Sequence, residues 1–236
     1  MREAGRIVAT VLAEIEAHIH PGATTASMDS LAYKTIANMN AKPSFLHYRG
    51  YPATICISVN EEVVHGIPGP RILKDGDVVS VDVGAVYQGY HGDSARTFLI
   101  GHVGQDEMAL AQRTKACYEA GLAQSFAGNR VGDISHAVQC LAESYGYGVV
   151  RELIGHGVGQ ALHEQPDVPN FGRPGRGPLL QVGMVIAIEP MINLGTHRVR
   201  TQEDEWTVVT ADGKASAHYE NTVYISQDGP VELTVL

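Results

Sequence analysis

Apolar residues recur at helical spacing over 2–19, where Ile7, Val8, Val11, Leu12, Ile15 and Ile19 share a face and Pro21-Gly22 ends the element. Thr24 or Thr25 can cap a second helix running to about Asn40, with Leu31 and Ile36 inward. The period then changes from 3.6 to 2: Ile55, Ile57 and Val59 alternate as a strand over Thr54–Asn60. Asp77–Val83 carries four valines in seven residues and reads as a buried strand. Tyr87-Gln88-Gly89-Tyr90 reads as a turn, and a hairpin folded near residues 87–88 runs back to about Ile100. Helices are predicted again at about 106–127 and 133–146, the second from Ile134, Val138, Leu141 and Tyr145. Strands are predicted around 149–154, 183–189, 205–210 and 216–225.

Two acids interrupt this pattern. Asp82 lies among valines, where a carboxylate is costly unless compensated, and Asp93 follows in His91-Gly92-Asp93-Ser94-Ala95-Arg96-Thr97. A turn centred near 87–88 sets the two acids opposite each other, roughly 5 Å apart at Cβ. Both cannot stay ionised there without a strong positive partner.

The second half repeats the plan of the first. Leu73–Asp82 aligns with Leu180–Glu189 at a constant offset of 107, which lays Asp82 on Glu189. This predicts one α+β domain over 1–236, built from two helix–helix–sheet halves of about 1–103 and 104–236, whose equivalent strands bring their acids together.

Composition narrows the chemistry. The net charge of −9, with no Lys or Arg run, disfavours nucleic acid as the principal ligand. Cys56, Cys117 and Cys140 form no C-x-x-C pair and suit a reducing compartment. No apolar run approaches the ~20 residues of a membrane span, and the first residues lack a signal-peptide core, so a cytoplasmic protein is expected.

Further candidates join the acids. Gly155-His156-Gly157-Val158-Gly159 presents an imidazole beside little competing bulk, and His163 follows seven residues after His156. Glu220 is another acid in a strand context, though alone it would read as an exposed edge residue. Asp82, Asp93, Glu189, Glu220 and His156 make an oxygen-rich set with one nitrogen and no thiolate. Such a set suits paired Mn²⁺, Fe²⁺, Co²⁺ or Zn²⁺, and Arg96 and Arg200 are too few to neutralise it by ion pairing. The loop Pro43–Pro52, with Phe45, His47, Tyr48 and Tyr51, reads equally well as packed surface or as the wall of a ligand pocket.

As an ordered set, Asp82, the Asp93 segment, Gly155–Gly159 with His163-Glu164, Ile188-Glu189-Pro190 and Tyr219-Glu220-Asn221 resemble the type I methionine aminopeptidases over essentially the whole chain. The resemblance implies the pita-bread fold and removal of initiator methionine from nascent chains, preferring a small second residue. It implies that Asp82 holds one metal, His156 and Glu189 the other, and that Asp93 and Glu220 bridge them around a nucleophilic hydroxide. Glu189 would accept the proton of the water, His163 would serve the scissile carbonyl, and His65 would serve the substrate amide. Tyr48, Tyr51, Phe45, Cys56, His65 and Trp206 would line the methionine pocket; without the resemblance Trp206 reads as core. A monovalent cation, Na⁺ or K⁺, would lie near Asn60 and Ser216. The partners implied are nascent polypeptides, with transient ribosome association, for a monomer that binds neither nucleic acid nor membrane.

The chain departs from the pattern at Phe45, where many relatives have Cys, Ser or Thr, and at Glu205, where many have Gly. No zinc-binding N-terminal extension is seen, and the interval between His163 and Glu189 is too short for the type II helical insert. The alternatives are an Xaa-Pro aminopeptidase or prolidase with the same ligands, and an inactive pita-bread protein that binds a partner.

Overall fold

The computed structural model describes residues 1–236. Helices α1 (Arg2–His18) and α2 (Thr25–Asn38) open the chain. The Thr24 hydroxyl accepts from the Ser27 N–H and so caps α2. Strands β1 (Lys42–Pro43), β2 (Cys56–Val59), β3 (Glu62–Val64), β4 (Val78–Tyr87) and β5 (Tyr90–Leu99) complete the first half. The second half brings α3 (Gln105–Leu122), α4 (Val131–Ser144), β6 (Gly148–Val149), β7 (Gly155–Gly157) and β8 (Glu164–Val168). It continues with β9 (Val185–Ile188), β10 (Met191–Asn193), β11 (Val199–Thr201), β12 (Val208–Thr210), β13 (Ser216–His218), β14 (Asn221–Ile225) and β15 (Pro230–Glu232). No helix is long and apolar enough to cross a membrane.

All strand pairing is antiparallel. Strand β4 pairs with β1 and β2 along one edge and with β5 along the other. Its odd positions, Val79, Val81, Val83 and Ala85, join Ile7, Val8, Val11, Leu12 and Ile15 of α1 and Ala32 and Ile36 of α2 in one buried cluster of 18 residues. The helices thus cover one face of the sheet. Alternation turns the even positions, Ser80, Asp82 and Gly84, to the other face, toward the second half. There, sheet β15-β14-β9-β7-β8 packs Ile186, Ile188, Val223 and Ile225 with Tyr118 of α3 and Val131 and Ile134 of α4.

The halves meet through β5. The Asp93 N–H donates to the Thr222 hydroxyl, which donates back to the Asp93 carbonyl, at 2.9 and 2.8 Å. One residue pair on, the Glu220 N–H donates to the Ala95 carbonyl at 3.0 Å. The structure is an α+β pita-bread fold, helices backing antiparallel sheets.

Several boundaries differ from the sequence expectation. The helix expected over 106–127 ends at Leu122, and the one expected from 133 begins at Val131, where the Asp133 carboxylate accepts the Arg130 N–H. Of 149–154 only Val149 is strand, as the end of Gly148–Val149, and of 205–210 only Val208–Thr210. The stretch 216–225 is not one strand: it breaks at Tyr219-Glu220, where Glu220 turns to bond β5.

Candidate metal centre

The hairpin turns at Gln88-Gly89, both at positive φ (49° and 81°), as a two-residue turn of the primed kind requires. The fold point is therefore one position later than the sequence reading placed it. Asp82 faces Ala95 and Asp93 faces Gly84, which corrects the expectation that the two acids are directly opposite. They are diagonal neighbours on one face, with backbones roughly 7–8 Å apart and side chains able to converge. Burial raises both carboxyls, Asp82 to about 7 and Asp93 well above the usual range, and repulsion from Glu220 and then Asp82 adds to Asp93.

His156 sits on β7 between two glycines. A Cβ on Gly155 would collide with the Ala187 carbonyl, and one on Gly157 with the Gln165 carbonyl. The glycines therefore let β7 lie close to its neighbours and hold the imidazole inward. The His156 Nδ1–H donates to the Gly157 carbonyl at 2.9 Å, which leaves the Nε2 lone pair facing carboxylate oxygens. Those oxygens are Oε1 of Glu189 at 3.5 Å and Oδ2 of Asp93 at 3.9 Å. Glu189 follows the last residue of β9, and its carbonyl accepts from Asn170 Nδ2. Glu220 lies in the break between β13 and β14 and is 2% exposed, so it is no exposed edge residue. Burial first, then neighbouring acids, raises the carboxyls of Glu189 and Glu220 well above their ordinary value.

Arg96 does not neutralise this cluster. Its Nη1 donates to the Ser94 hydroxyl and to the Ala95 and Glu220 carbonyls, and its Nη2 donates to Asn221 Oδ1. The guanidinium lies over the Tyr219 ring, 4.2 Å from its centroid. It clamps backbone and leaves the carboxylates to another cation.

The donors fit divalent metal. Ligand atoms of Asp93, His156 and Glu220 lie within 4.8 Å of one another. Oδ1 of Asp82, Oδ1 of Asp93 and Oε1 of Glu220 are buried without a hydrogen-bond partner. Separations of 3.5–3.9 Å are too long for hydrogen bonds and match two donors each about 2.1 Å from one ion. A lone pair aimed at carboxylates is repulsive unless a cation lies between.

One cleft of about 190 Å³ joins this cluster to the remaining sequence candidates. Phe45, Tyr48, Tyr51, Cys56, His65, His163 and Trp206 line it with Asp82, Asp93, His156, Glu189 and Glu220. Tyr51 and Trp206 meet edge to face at 5.1 Å, and the Tyr51 hydroxyl donates to the Ile55 and Gly66 carbonyls. His65 is held at φ 61°, a left-handed backbone rare for a non-glycine residue, with burial pulling its pKa down. His163 is exposed, stacks on Tyr48 and lies 4.1 Å from the His156 ring, centroid to centroid. Its pKa falls to about 4, from desolvation first and then the neighbouring His156.

Asn60 and Ser216 lie outside this cleft, with the Ser216 N–H donating to the Asn60 carbonyl. Their side chains already have partners: Asn60 bonds Asp77 and the Val78 N–H, and Ser216 donates to Asn193.

Sequence reading missed the apolar walls Leu153, Ile154, Leu162 and Met191, which no periodicity singles out. It also missed His218, 1% exposed, whose Nε2 is 3.9 Å from both Glu189 Oε2 and Glu220 Oε2. A signal existed: His218 stands two residues before Glu220 among positions that read as strand.

Residues 1–227 match the model of metallopeptidase family M24. A methionine aminopeptidase of Clostridium acetobutylicum is 53% identical over 236 residues, which span 100% of this chain and 94% of that one. The crystal structure of a methionine aminopeptidase from Thermotoga maritima superposes with a TM-score of 0.99 at 44% identity, covering 100% of this chain and 95% of that chain. A prolidase from Pyrococcus furiosus shares the fold, with a TM-score of 0.81 at 21% identity, covering 100% of this chain and 62% of its own.

Proposed function

The chain belongs to metallopeptidase family M24 and to its methionine aminopeptidases, and from that premise we propose that it removes N-terminal methionine with divalent metal. The observation that carries this reading is the buried set of four carboxylates, with orphaned oxygens, facing the Nε2 lone pair of His156. Asp82, Asp93, His156, Glu189 and Glu220 would hold two ions among Co²⁺, Mn²⁺, Fe²⁺ and Zn²⁺. Bound there, such ions supply Lewis acidity and water acidified to near neutral pH, so hydrolysis needs no Ser or Cys nucleophile.

The protein's own groups do the rest. Glu189, as the family resemblance implies, takes the proton of the attacking water on a carboxylate oxygen and passes it to the leaving amine. His163 is neutral at pH 7, so one ring nitrogen carries the proton. The Tyr48 hydroxyl lies 2.9 Å from its Nδ1; donating there, it keeps the proton on Nε2, free to bond the scissile carbonyl. His65, fixed by its backbone at the cleft wall, binds the substrate amide. Phe45, Tyr51, Cys56 and Trp206 surround an unbranched thioether side chain, to which aromatic edges and sulfur add favourable contacts.

The same reading includes a single catalytic domain over 1–236 of two related halves, acting as a cytoplasmic monomer on nascent chains, with transient ribosome contact. It adds a preference for a small second residue and a monovalent cation, Na⁺ or K⁺, by Asn60 and Ser216. Metal analysis of the purified protein, with hydrolysis of Met-Ala-Ser and Ala-Pro-Ala after loading Mn²⁺ or Co²⁺, tests it. Release of Met from the first peptide is expected. Cleavage of the proline peptide alone would place the chain with the Xaa-Pro aminopeptidases and prolidases, and absence of both metal and turnover would make it a binding protein.

A further inference from the structure

His218 is the one buried imidazole near the carboxylates with no assigned task. Both of its ring nitrogens lack a hydrogen-bond partner, in a residue that is 1% exposed. Leaving a buried polar group unpaired is costly, so an arrangement of this kind needs a reason. Its backbone is pinned: the His218 N–H donates to the Thr97 hydroxyl at 3.0 Å, and that hydroxyl donates to the His218 carbonyl at 2.9 Å. Strand pairing with Met191 fixes it from the other side. The ring therefore cannot drift away from what it faces.

It faces the glutamates on the side away from His156. Glu189 turns Oε1 toward His156 and Oε2 toward His218. Glu220 turns Oε2 toward His218, while a carboxylate oxygen of the same residue belongs to the cluster with Asp93 and His156. His218 does not line the cleft, so it does not meet substrate. We propose that His218 is a positioning residue, whose Nε2–H lies between Oε2 of Glu189 and Oε2 of Glu220 and orients both carboxylates toward the metal pair. A shift of about 1 Å by either carboxylate completes the hydrogen bond. Partners of this kind, behind ligating carboxylates, set the ligands' orientation and basicity. The inference rests on the proposed metal-binding role of Glu189 and Glu220.

Calorimetric titration of the metal-free protein with Mn²⁺ tests it, comparing wild type, His218→Gln and His218→Met, with circular dichroism to confirm folding. His218→Gln keeps an N–H donor at this position, and His218→Met keeps bulk without one. Mn²⁺ affinity is expected to fall about 10–100-fold in His218→Met and to return to within a few-fold of wild type in His218→Gln. For Met-Ala-Ser, kcat should fall in His218→Met while KM stays constant. The visible spectrum of the Co²⁺-loaded His218→Gln protein should match wild type. Wild-type affinity in His218→Met would overturn the proposal. A displaced Co²⁺ band in His218→Gln would also overturn it, since the imidazole would then be a ligand. If wild type itself binds no Mn²⁺, the metal-centre reading fails first, and the two failures are told apart.

Discussion

The β4–β5 hairpin and the strand breaks of the second half deliver acids to the same centre by different means. Asp82 and Asp93 lie inside two ten-residue strands, backed by the 18-residue cluster under α1 and α2. Their direction follows from alternation alone: odd positions face the helices, and even positions of β4 face the site. Glu189 and Glu220 lie just outside strands, and His156 is in a strand of three residues. Their direction is set by particular bonds, such as Asn170 to the Glu189 carbonyl and Arg96 to the Glu220 carbonyl. The pocket loops go further in the same sense, with His47, Arg49, His65 and Glu205 all at positive φ. A regular hairpin gives a rigid base, and irregular chain lets single carboxylates turn out of a sheet.

Removing a hairpin acid should separate function from stability most sharply. Asp93→Ala is expected to lower kcat by about three orders of magnitude or more and to weaken metal loading with it. The metal-free variant should melt no lower than wild type, because it loses a buried carboxylate that repels Asp82 and Glu220. Near-normal turnover with full metal content would break the proposed role of the hairpin.

Metal removal should expose the same repulsion through pH. Asp82, Asp93, Glu189 and Glu220 bind protons more tightly when folded than their unfolded values of about 3.9–4.3. Protonation therefore stabilises the metal-free fold, fully so below about pH 4, and this is lost as pH rises through the folded values, near 7 for Asp82. Metal-free protein should melt higher at about pH 5 than at about pH 7.5, and Mn²⁺ should reverse that order. Equal melting at both pH values without metal would show that the acids do not crowd one another.

The seam between the two regions comes next in size. Thr222→Val keeps shape but leaves the buried Asp93 N–H and carbonyl without the hydroxyl that serves both. The expected loss is about 2–4 kcal/mol by urea unfolding. A loss under about 0.5 kcal/mol would mean that the hairpin holds Asp93 unaided.

The same contrast explains what was legible in the sequence. Asp82 stood out because the valines around it read as a buried strand, and the 107-residue offset pointed to Glu189; β4 and β9 begin at Val78 and Val185. The hairpin register was misjudged by a small shift of its turn, because Tyr87-Gln88-Gly89-Tyr90 permits more than one fold point, while only the observed one places Gly89 at φ 81°. The break at Tyr219-Glu220 left no local mark, since neither residue is the Gly or Pro that punctuates a strand, and the chain bends because Ala95 and Arg96 bond it there. His218 shares that stretch, two residues before Glu220, and its meaning comes from acids that the break brings beside it.

The smallest effect concerns the irregular chain alone. Glu205 adopts φ 64°, where its Cβ is crowded and glycine is not. The neighbouring Asp204 carboxylate accepts from the Trp206 and Thr207 N–H groups and from the Thr207 hydroxyl, so Trp206 is tied down without help from Glu205. Glu205→Gly relieves the crowding but gives the unfolded chain more freedom, and the two partly cancel. The expected net gain is about 0.5–1 kcal/mol, read as a rise of about 1–4 °C in melting temperature, with KM for Met-Ala-Ser within twofold of wild type. A several-fold change in KM would show that the turn, and not the Asp204 bonds, sets where the Trp206 wall stands.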